Sequence, residues 1–316
     1  MMKKNIQTAA YGGENWSPRT QTHEEEIGSI WSASGVNSEW GELKAVLLHQ
    51  PGEEWERISE PDAVQMLDKP DLELGREQHA AIAQAYRDAG VAVHYVEPDQ
   101  TPTPNQMFCA DLFVMTPEGA ILGRAASTVR AGEERWIARR LADLGIPIVR
   151  TLRGKATFEG ADALWIDPQT VLIGRGLRTN AEGAAQVSAA LNEMGVETIV
   201  VDLPIGTMHL MGILRFLDKD LAVAWPYRLA WSAVDALRGR GYEVHFVPGE
   251  AEATNGSAFN FVTLGPREIL MAAGNPNSQN FYESLGVKCN TVDISELTKA
   301  AGGIGCLSGI LERSNT

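Results

Sequence analysis

A repeat of about fifty residues constrains the fold of this chain more than any other feature of its sequence. Runs that can form helices end at a glycine, and a segment rich in Val and Ile follows, as at Gly90, Gly145, Gly195, Gly241 and Gly286. These glycines are 55, 50, 46 and 45 residues apart. A glycine in the left-handed conformation commonly ends a helix, and β-branched alternation is typical of a strand. The pattern therefore predicts a repeated helix–strand unit.

A hairpin signal interleaves with the first signal at the same pitch. Strand-like runs begin at 111, 163, 212 and 260, and each is followed by turn residues such as Pro-Glu-Gly or Asp-Pro-Gln and then by a second strand. The segment Glu42–Gln50 supplies part of the set of strands that goes with the first helix, which is predicted over 71–88. We predict five hairpin–helix–strand units, one of them split between the chain ends, that close into a ring. A two-domain doubly wound sheet is the alternative.

Composition limits the classes of partner. The first 38 residues are polar and lie outside the repeat, so we predict an N-terminal arm over 1–38 and a single domain over 39–316. The 316 residues include 27 basic and 41 acidic side chains, for a net charge of −14. Such a chain lacks the clustered cations that bind nucleic acid or an anionic membrane, and its field favours a small cationic ligand. It has no apolar stretch of 18 residues, so no membrane-spanning helix is expected.

Cysteine usage indicates a reducing, cytoplasmic compartment. Cys109, Cys289 and Cys306 are odd in number and widely spaced, which argues against disulfides and zinc sites. Lys3 and Lys4 are not followed by an apolar run, so no secretory signal is predicted. Glycines at 302, 303 and 305 allow the backbone near Cys306 to approach a ligand closely, which makes Cys306 a candidate nucleophile. The other two cysteines lie in strand-like runs and are interpreted as core residues.

Further candidates are polar residues beside the hairpins, because a ring of repeats gathers ligand-binding groups at one mouth of its axis. Each also has a structural interpretation, such as a core histidine, a turn aspartate or a surface arginine. The candidates are Asp111, Arg130, Glu159, Asp162, Arg178 and His209. The sequence contains no GxGxxG after a strand, P-loop, HExxH or EF-hand loop, so we expect no cofactor and no metal.

Five segments carry a resemblance to a known family. They are Pro104–Asp111, Phe158–Asp162, Gly176–Gly183, His209–Leu210 and Gly302–Cys306. In this order they make the chain resemble the pentein superfamily of guanidino-group-modifying enzymes, which includes dimethylarginine dimethylaminohydrolase, arginine deiminase and the amidinotransferases. The resemblance extends from about residue 42 to residue 311 and leaves the N-terminal arm uncovered. It implies a five-bladed α/β propeller, in agreement with the repeat.

The resemblance implies covalent catalysis on a small cationic guanidino substrate. Cys306 would attack the guanidinium carbon as a thiolate, and His209 would protonate the departing amine and then activate water. A guanidinium is a planar, charged fork, so its site needs carboxylates placed edge-on. Asp111 would be its main partner. Glu159 would support His209 or the substrate, and Asp162 is a further candidate for either role.

The other positions that match the family concern the α-carboxylate of the substrate and the identity of its guanidine. Arg130 and Arg178 match family positions that bind the α-carboxylate of an amino-acid substrate, and Asn105 matches an acidic residue near the substrate. Met211 stands where deiminases and amidinotransferases carry a second guanidinium-binding Asp, which favours a substituted or differently held guanidine. Ala110 stands where the hydrolase has an acidic residue, and this departure counts against that interpretation, so the identity of the substrate stays open.

Three functions remain open at this point. The first is a cysteine hydrolase that cleaves a C–N bond of arginine or a modified arginine. The second is an amidinotransferase, in which an amine replaces water at the same intermediate. The third is a non-catalytic propeller that serves as a binding module. Such a protein would not need Cys, His, Asp, Glu and two Arg at one mouth of the ring. Association into homo-oligomers also stays open.

Overall fold

Five three-stranded sheets make up the fold, which is described from a computed structural model covering residues 8–255 and 257–316. Each sheet is one blade, built as a hairpin followed by a strand parallel to the second hairpin strand. The strands, blade by blade, are Gly309–Arg313, Leu43–Leu48 and Ala92–Tyr95; Phe113–Thr116, Gly119–Leu122 and Ile148–Thr151; Ala163–Asp167, Thr170–Arg175 and Glu197–Asp202; Leu214–Asp218, Leu221–Ala224 and Glu243–Phe246; Val262–Gly265, Glu268–Ala272 and Lys288–Val292. The five blades form a propeller, which confirms the predicted fold class.

Blade 1 closes the ring by joining the two ends of the chain. Its strand Gly309–Arg313 pairs antiparallel with Leu43–Leu48, so the C-terminal strand takes the place of the first hairpin strand. Leu43–Leu48 pairs in parallel with Ala92–Tyr95, as the corresponding strands do in the other blades. The split unit predicted from the sequence is therefore present, and it gives blade 1 three strands like the other blades.

A helix connects the hairpin to the last strand in each blade. The eight helices of the described residues are His23–Glu26, Leu72–Asp88, Glu134–Asp143, Ala181–Glu193, Trp231–Gly239, Glu250–Asn255, Pro276–Ser284 and Ile304–Leu307. Each connecting helix stops just before a repeat glycine with positive φ, between 72° and 86°, as the sequence pattern predicted. Ile82, Ile137, Val187 and Leu237 bury the inner faces of four of these helices. No helix among the described residues combines the length and the apolar character needed to cross a lipid bilayer.

The N-terminal segment runs along the propeller before the first strand. Thr22 caps the short helix His23–Glu26 through a reciprocal capping box with Glu25. Ser32 then donates its backbone N–H to Gly145 of blade 2, and Gly35 donates to Leu311 of blade 1, both at 2.9–3.0 Å. Residues 1–7, which include Lys3 and Lys4, lie outside the described residues. An independent arm over 1–38 stays a prediction.

Candidate active site

All five blades contribute a residue to one site, each from the turn that leads into the innermost strand. Blades 2, 3 and 4 have a single 3₁₀ turn there, blade 1 has the short helix Ile304–Leu307, and blade 5 has an irregular turn. The contributed residues, from blade 1 to blade 5, are Cys306, Asp111, Glu159, His209 and Asn260. Because equivalent turns of a closed ring meet around its axis, residues up to 195 positions apart in sequence become neighbours.

Cys306 is held by Asn260, a residue that the sequence analysis missed. The Asn260 side chain donates from Nδ2 to the Cys306 sulfur at 2.9 Å, and its Oδ1 accepts the Cys306 backbone N–H at 3.1 Å. A Cβ on Gly305 would lie 2.6 Å from that Oδ1, so only glycine permits this approach. Asn260 begins the hairpin run at 260, a position equivalent to Asp111, but its amide lacks the charge that marks the candidates beside the other hairpins.

The Cys306 thiol is buried, with 8% of the residue exposed. Burial raises the pKa of this thiol above its ordinary value, and the negative charge of Asp111 acts in the same direction. The hydrogen bond from Asn260 and the positive charge of Arg215 oppose this rise. The thiol of the unliganded site is therefore mostly protonated near neutral pH, and a cation placed beside it would favour the thiolate.

His209 lies between two carboxylates. Its Nε2 donates to Glu159 Oε2 at 2.7 Å and is 3.7 Å from Asp111 Oδ1. Burial alone would lower the pKa of His209, but the charge of Asp111 and the hydrogen bond to Glu159 outweigh burial and raise this pKa to about 9. Nδ1 has no hydrogen-bond partner among the described residues. The imidazolium thus carries one free N–H that can transfer a proton.

This raised pKa predicts a pH dependence of stability. The His209 pKa is about 9 in the folded chain against an ordinary value of 6.5, so its contribution is fully present below pH 6.5 and is lost as pH rises through about 9. We expect the melting temperature of the wild type to fall across this window more than that of His209→Gln. Thermal unfolding followed by circular dichroism between pH 6 and 9.5 measures the difference, and parallel curves for the two proteins would contradict it.

Glu159 is fully buried and anchored on its other side. Its Oε1 accepts the backbone N–H of Ala126 at 3.0 Å and is 3.5 Å from Nη1 of Arg178. Burial raises the pKa of Glu159, but the hydrogen bond and charge of His209, with Arg130 and Arg178, outweigh burial and lower the pKa below its ordinary value. Glu159 is therefore ionised and orients His209, which is one of the two roles that the resemblance implied for it.

Asp111 and Arg130 form a buried ion pair. Arg130 donates from Nη1 to Asp111 Oδ2 at 2.6 Å, and its Nε donates to Glu133 at 2.9 Å. Arg130 is also 3.7 Å from Glu159, so three carboxylates surround it, which differs from the expectation of a free carboxylate-binding cation. Asp111 Oδ1 is buried and has no hydrogen-bond partner among the described residues. This oxygen remains able to accept a hydrogen bond from a guanidinium.

Arg178 and Asn105 line the same cavity as Asp111. Arg178 has only one close carboxylate, Glu159 at 3.5 Å, and its buried Nε lacks a hydrogen-bond partner among the described residues. It is therefore better placed than Arg130 to bind a substrate carboxylate. Asn105 donates from Nδ2 to the Val64 carbonyl at 2.7 Å, while its buried Oδ1 has no partner in the described chain. Asn105 holds the 49–71 loop and presents an acceptor.

Asp162 has both carboxylate oxygens engaged by the protein. Its Oδ2 accepts the Thr179 hydroxyl at 2.6 Å and its Oδ1 accepts the Leu210 backbone N–H at 2.9 Å. Asp162 lines neither cavity that contains Cys306. Burial raises its pKa to about 6. Both oxygens are used to fix the turn beside His209, so Asp162 positions that turn.

Two adjoining cavities share Cys306 and His209. We call the first the polar cavity; it is lined by Gln65, Asn105, Phe108, Asp111, Arg130, Arg178, Met208, Ala300, Ala301 and the shared pair. We call the second the methionine cavity; its lining includes Met208, Met211, Trp225 and Phe259. Cys306 and His209 can therefore act on an atom that is bound between the charged lining of the polar cavity and the apolar lining of the methionine cavity.

The site also contains one potential metal-binding group. Ligand atoms of Asp111, Glu159 and His209 all lie within 4.8 Å of one another. However, Nε2 of His209 is hydrogen-bonded to Glu159, and the guanidinium of Arg130 contacts the Asp111 carboxylate. These contacts already neutralise the carboxylates with protein cations, so the arrangement fits an organic cation better than a metal ion.

Comparisons with known proteins place the chain among guanidino-group hydrolases. The family model for arginine deiminase matches residues 99–245. N(G),N(G)-dimethylarginine dimethylaminohydrolase of Pseudomonas aeruginosa is 29% identical over 242 residues, which is 77% of this chain and 90% of that protein. The protein of the same name from Streptomyces coelicolor is also 29% identical, over 76% of this chain and 87% of the relative.

Solved structures extend the likeness to three dimensions. A mutant of the Pseudomonas aeruginosa dimethylarginine dimethylaminohydrolase complexed with citrulline has a TM-score of 0.72 at 26% identity, covering 84% of this chain and 98% of that one. SxtG, an amidinotransferase from Microseira wollei, has a TM-score of 0.72 at 14% identity, covering 90% of this chain and 98% of that one. At that identity, the second comparison bears on the fold alone.

Proposed function

Because the chain belongs to the pentein superfamily, as a hydrolase of C–N bonds in guanidino groups, we propose that it cleaves a substituted guanidino amino acid through a covalent bond to Cys306. One observation carries this proposal: Cys306 and His209 line a cavity together with Asp111, whose Oδ1 has no hydrogen-bond partner among the described residues. A nucleophile, a proton donor and a guanidinium acceptor are thereby available at one point.

Binding begins with charge and planarity. The guanidinium donates to Asp111 Oδ1, the buried acceptor that has no partner in the described protein. Arg178 faces the substrate carboxylate, and Asn105 Oδ1 accepts a further hydrogen bond from the cation. A buried acceptor left unsatisfied costs free energy, so a ligand that supplies donors here is favoured over one without them. Arginine-like substrates meet these requirements.

The bound cation also prepares the nucleophile. Burial and Asp111 raise the pKa of Cys306, and a guanidinium held between this thiol and Asp111 adds a compensating positive charge. The thiolate then forms a C–S bond to the guanidinium carbon. His209 transfers its Nδ1 proton to the departing nitrogen, the C–N bond breaks and an amine leaves. The product of this half-reaction is a thiouronium linked to Cys306.

Hydrolysis completes the cycle. His209, now neutral at Nδ1, takes a proton from a water molecule whose oxygen attacks the thiouronium carbon. The C–S bond breaks, Cys306 leaves as a thiolate and the ureido product is released. One guanidinium and one water thus give one neutral ureido compound and one protonated amine. Glu159 keeps the imidazole in orientation in both halves, because its hydrogen bond to Nε2 is independent of the proton at Nδ1.

The substrate class follows from the methionine cavity. Met211 is 7% exposed and lines this cavity with His209. The family resemblance implies a guanidinium-binding Asp at this position in deiminases and amidinotransferases. A thioether cannot accept such hydrogen bonds strongly, but it packs well against alkyl groups. Trp225 and Phe259 continue the apolar lining. We therefore propose a guanidine that carries an alkyl substituent on the departing nitrogen.

We predict that Met211→Asp shifts the preference toward unsubstituted arginine. The ratio of kcat/KM for arginine to that for N-methylated arginine should rise about tenfold or more, because the carboxylate pairs with a free NH₂ edge and rejects methyl groups. Met211→Leu is the matched control and should retain the wild-type ratio. Ammonia and methylamine released from the two substrates measure the ratio, and an unchanged ratio in Met211→Asp would count against the substituted-guanidine assignment.

One experiment tests the function as a whole. Arginine, methylated arginines and guanidinoacetate are incubated with the protein, and ureido product and released amine are quantified, with and without glycine or lysine as acceptor. Equal amounts of ureido product and amine, unaffected by acceptor, support hydrolysis. Transfer of the amidino group without net ureido product would instead support an amidinotransferase. No turnover of any guanidine would overturn the proposed function.

A further inference from the structure

A buried arginine behind the nucleophile has no role in the reaction described above. Arg215 lies in the inner strand Leu214–Asp218 of blade 4 and is 7% exposed. Its guanidinium makes no hydrogen bond and no ion pair within 4.0 Å to any described residue. Its guanidinium carbon lies over the ring of Phe261, 5.0 Å from the ring centre. Burying an unpaired charge is costly, so its presence requires an explanation.

The position of Arg215 connects it to Cys306. A side chain starting at Gly305 would begin 3.4 Å from Nη2 of Arg215, so the guanidinium lies against the residue that precedes the nucleophile. Phe261, which it contacts, follows Asn260, the residue that hydrogen-bonds to the Cys306 sulfur. Arg215 also lines an axial cavity together with Met211 and Gly305. It therefore approaches the nucleophile from the side away from the polar cavity.

The charges around Arg215 leave a positive excess. Glu39 and Arg313 line the same axial cavity, and the tyrosines Tyr86 and Tyr282 also face Arg215. Glu39 accepts the Trp165 N–H, while Arg313 donates to the carbonyls of Gly41 and Thr263. Burial raises the pKa of both tyrosines, so they stay neutral. Two guanidinium groups thus face one carboxyl.

The nucleophile is the group that can supply the missing negative charge. Cys306 follows Gly305, which lines the axial cavity, and becomes an anion during the reaction. On the polar-cavity side of Cys306, the negative charge of Asp111 disfavours the thiolate. The positive charge of His209 is already paired with Glu159. Arg130 and Arg178 line the polar cavity but face Asp111, Glu133 and Glu159. Among the cations near Cys306, Arg215 is the one without a carboxylate within 4.0 Å among the described residues.

We propose that Arg215 is a positioning residue whose buried positive charge stabilises the thiolate of Cys306 from the axial cavity. It acts through the nucleophile and does not contact the substrate. Its role complements that of Asn260, which holds the sulfur by a hydrogen bond. The proposal goes beyond the substrate chemistry above and holds whatever guanidine the protein cleaves, because it concerns the ionisation of the thiol itself.

The test measures the ionisation of Cys306 without any substrate. Iodoacetamide alkylation of Cys306 is followed by peptide mass spectrometry between pH 6 and 10, which separates it from Cys109 and Cys289. In Arg215→Gln, which is neutral but retains a polar planar group, we expect the midpoint of the rate profile to rise by about one pH unit or more. The alkylation rate below the midpoint then falls about tenfold.

Two further variants separate charge from structure. Arg215→Lys retains the charge and should keep the midpoint within a few tenths of a unit of the wild type. Arg313→Met removes another buried guanidinium, one that lines the same cavity and donates hydrogen bonds to two backbone carbonyls. This variant should leave the midpoint nearly unchanged. Arg215→Met replaces the glutamine variant if circular dichroism shows that the latter is unfolded.

The outcomes are distinct. A folded neutral variant with the wild-type midpoint would overturn the proposal, and so would a lysine variant whose midpoint rises as far as that of the neutral variants. A shift of equal size in Arg313→Met would assign the effect to loss of packing and would also overturn it. Turnover gives a second readout: kcat should fall in Arg215→Gln while KM stays near the wild-type value. Absence of all guanidine turnover refutes the proposed function but leaves the alkylation result intact.

Discussion

Replacing Cys306 with serine is expected to lower kcat by roughly four orders of magnitude or more while leaving the fold intact. The serine hydroxyl is isosteric enough to remain between Asn260 and the polar cavity, where it can keep a hydrogen bond to the Asn260 amide. It is far less acidic than a thiol, so it does not supply an anion for attack on the guanidinium carbon. Single-turnover assays of ureido product with saturating guanidine measure the loss.

The two other cysteines supply matched controls for this prediction. Cys289 is half-buried in the last strand of blade 5, and burial raises the pKa of its thiol to about 11. Cys289→Ser should therefore retain turnover within about twofold of the wild type. Cys109, which precedes blade 2 in a 3₁₀ turn and not in a strand, is fully buried and serves as a core residue. Wild-type turnover in Cys306→Ser would disprove the assigned nucleophile.

Glu159→Gln is expected to lower kcat by about a thousandfold. The substitution removes the charge that holds His209 by the 2.7 Å hydrogen bond at Nε2, and an amide nitrogen facing Nε2 favours a different tautomer of the ring. It also removes a cause of the raised His209 pKa, so the imidazolium loses its proton at lower pH. The His209 pKa of about 9 predicts an alkaline limb of kcat near pH 9 in the wild type, and in Glu159→Gln this limb should move toward neutral pH.

This pH readout distinguishes orientation of His209 from a general loss of structure. Glu193→Gln is the charge-matched control: Glu193 is exposed on a helix and pairs with Arg150 at 2.7 Å, so its loss should leave both kcat and the alkaline limb unchanged. A Glu159→Gln protein that folds normally and retains the wild-type alkaline limb would contradict the role assigned to the carboxylate. Stopped assays from pH 6 to 10 with saturating substrate provide the profile.

The fold was predictable from the sequence because its determinants are local and repeated. Glycines that end helices, such as Gly90 and Gly145, have positive φ in the structure, and turn residues mark the hairpins at the expected pitch. Each of these signals acts within a few residues of its own position, and repetition makes it visible above the background. The split blade also followed, since a ring with four complete units needs a fifth from the chain ends.

The site was predictable only in part. Cys306, His209, Glu159 and Asp111 follow from residue type, position beside the hairpins and family resemblance. Cys306, His209 and Asp111 line the polar cavity, and Glu159 lies behind His209 at 2.7 Å. Their catalytic roles remain predictions until the variants above are measured. Asn260 was missed because its amide carries no charge, and its function depends on a sulfur 46 residues away that only the closed ring brings within 2.9 Å.

By itself, the sequence determined the repeating unit, the number of blades and the chemical types of the residues beside each hairpin. The tertiary structure alone decided which partner each polar atom has. Asp162 accepts hydrogen bonds from two neighbouring turns, Arg130 is surrounded by carboxylates, and Arg215 has no carboxylate within 4.0 Å among the described residues. The physical reason is that helix ends and turns depend on neighbouring residues in the chain. Hydrogen bonds and ion pairs at the axis depend on side chains from different blades, whose distances are set only when the ring closes.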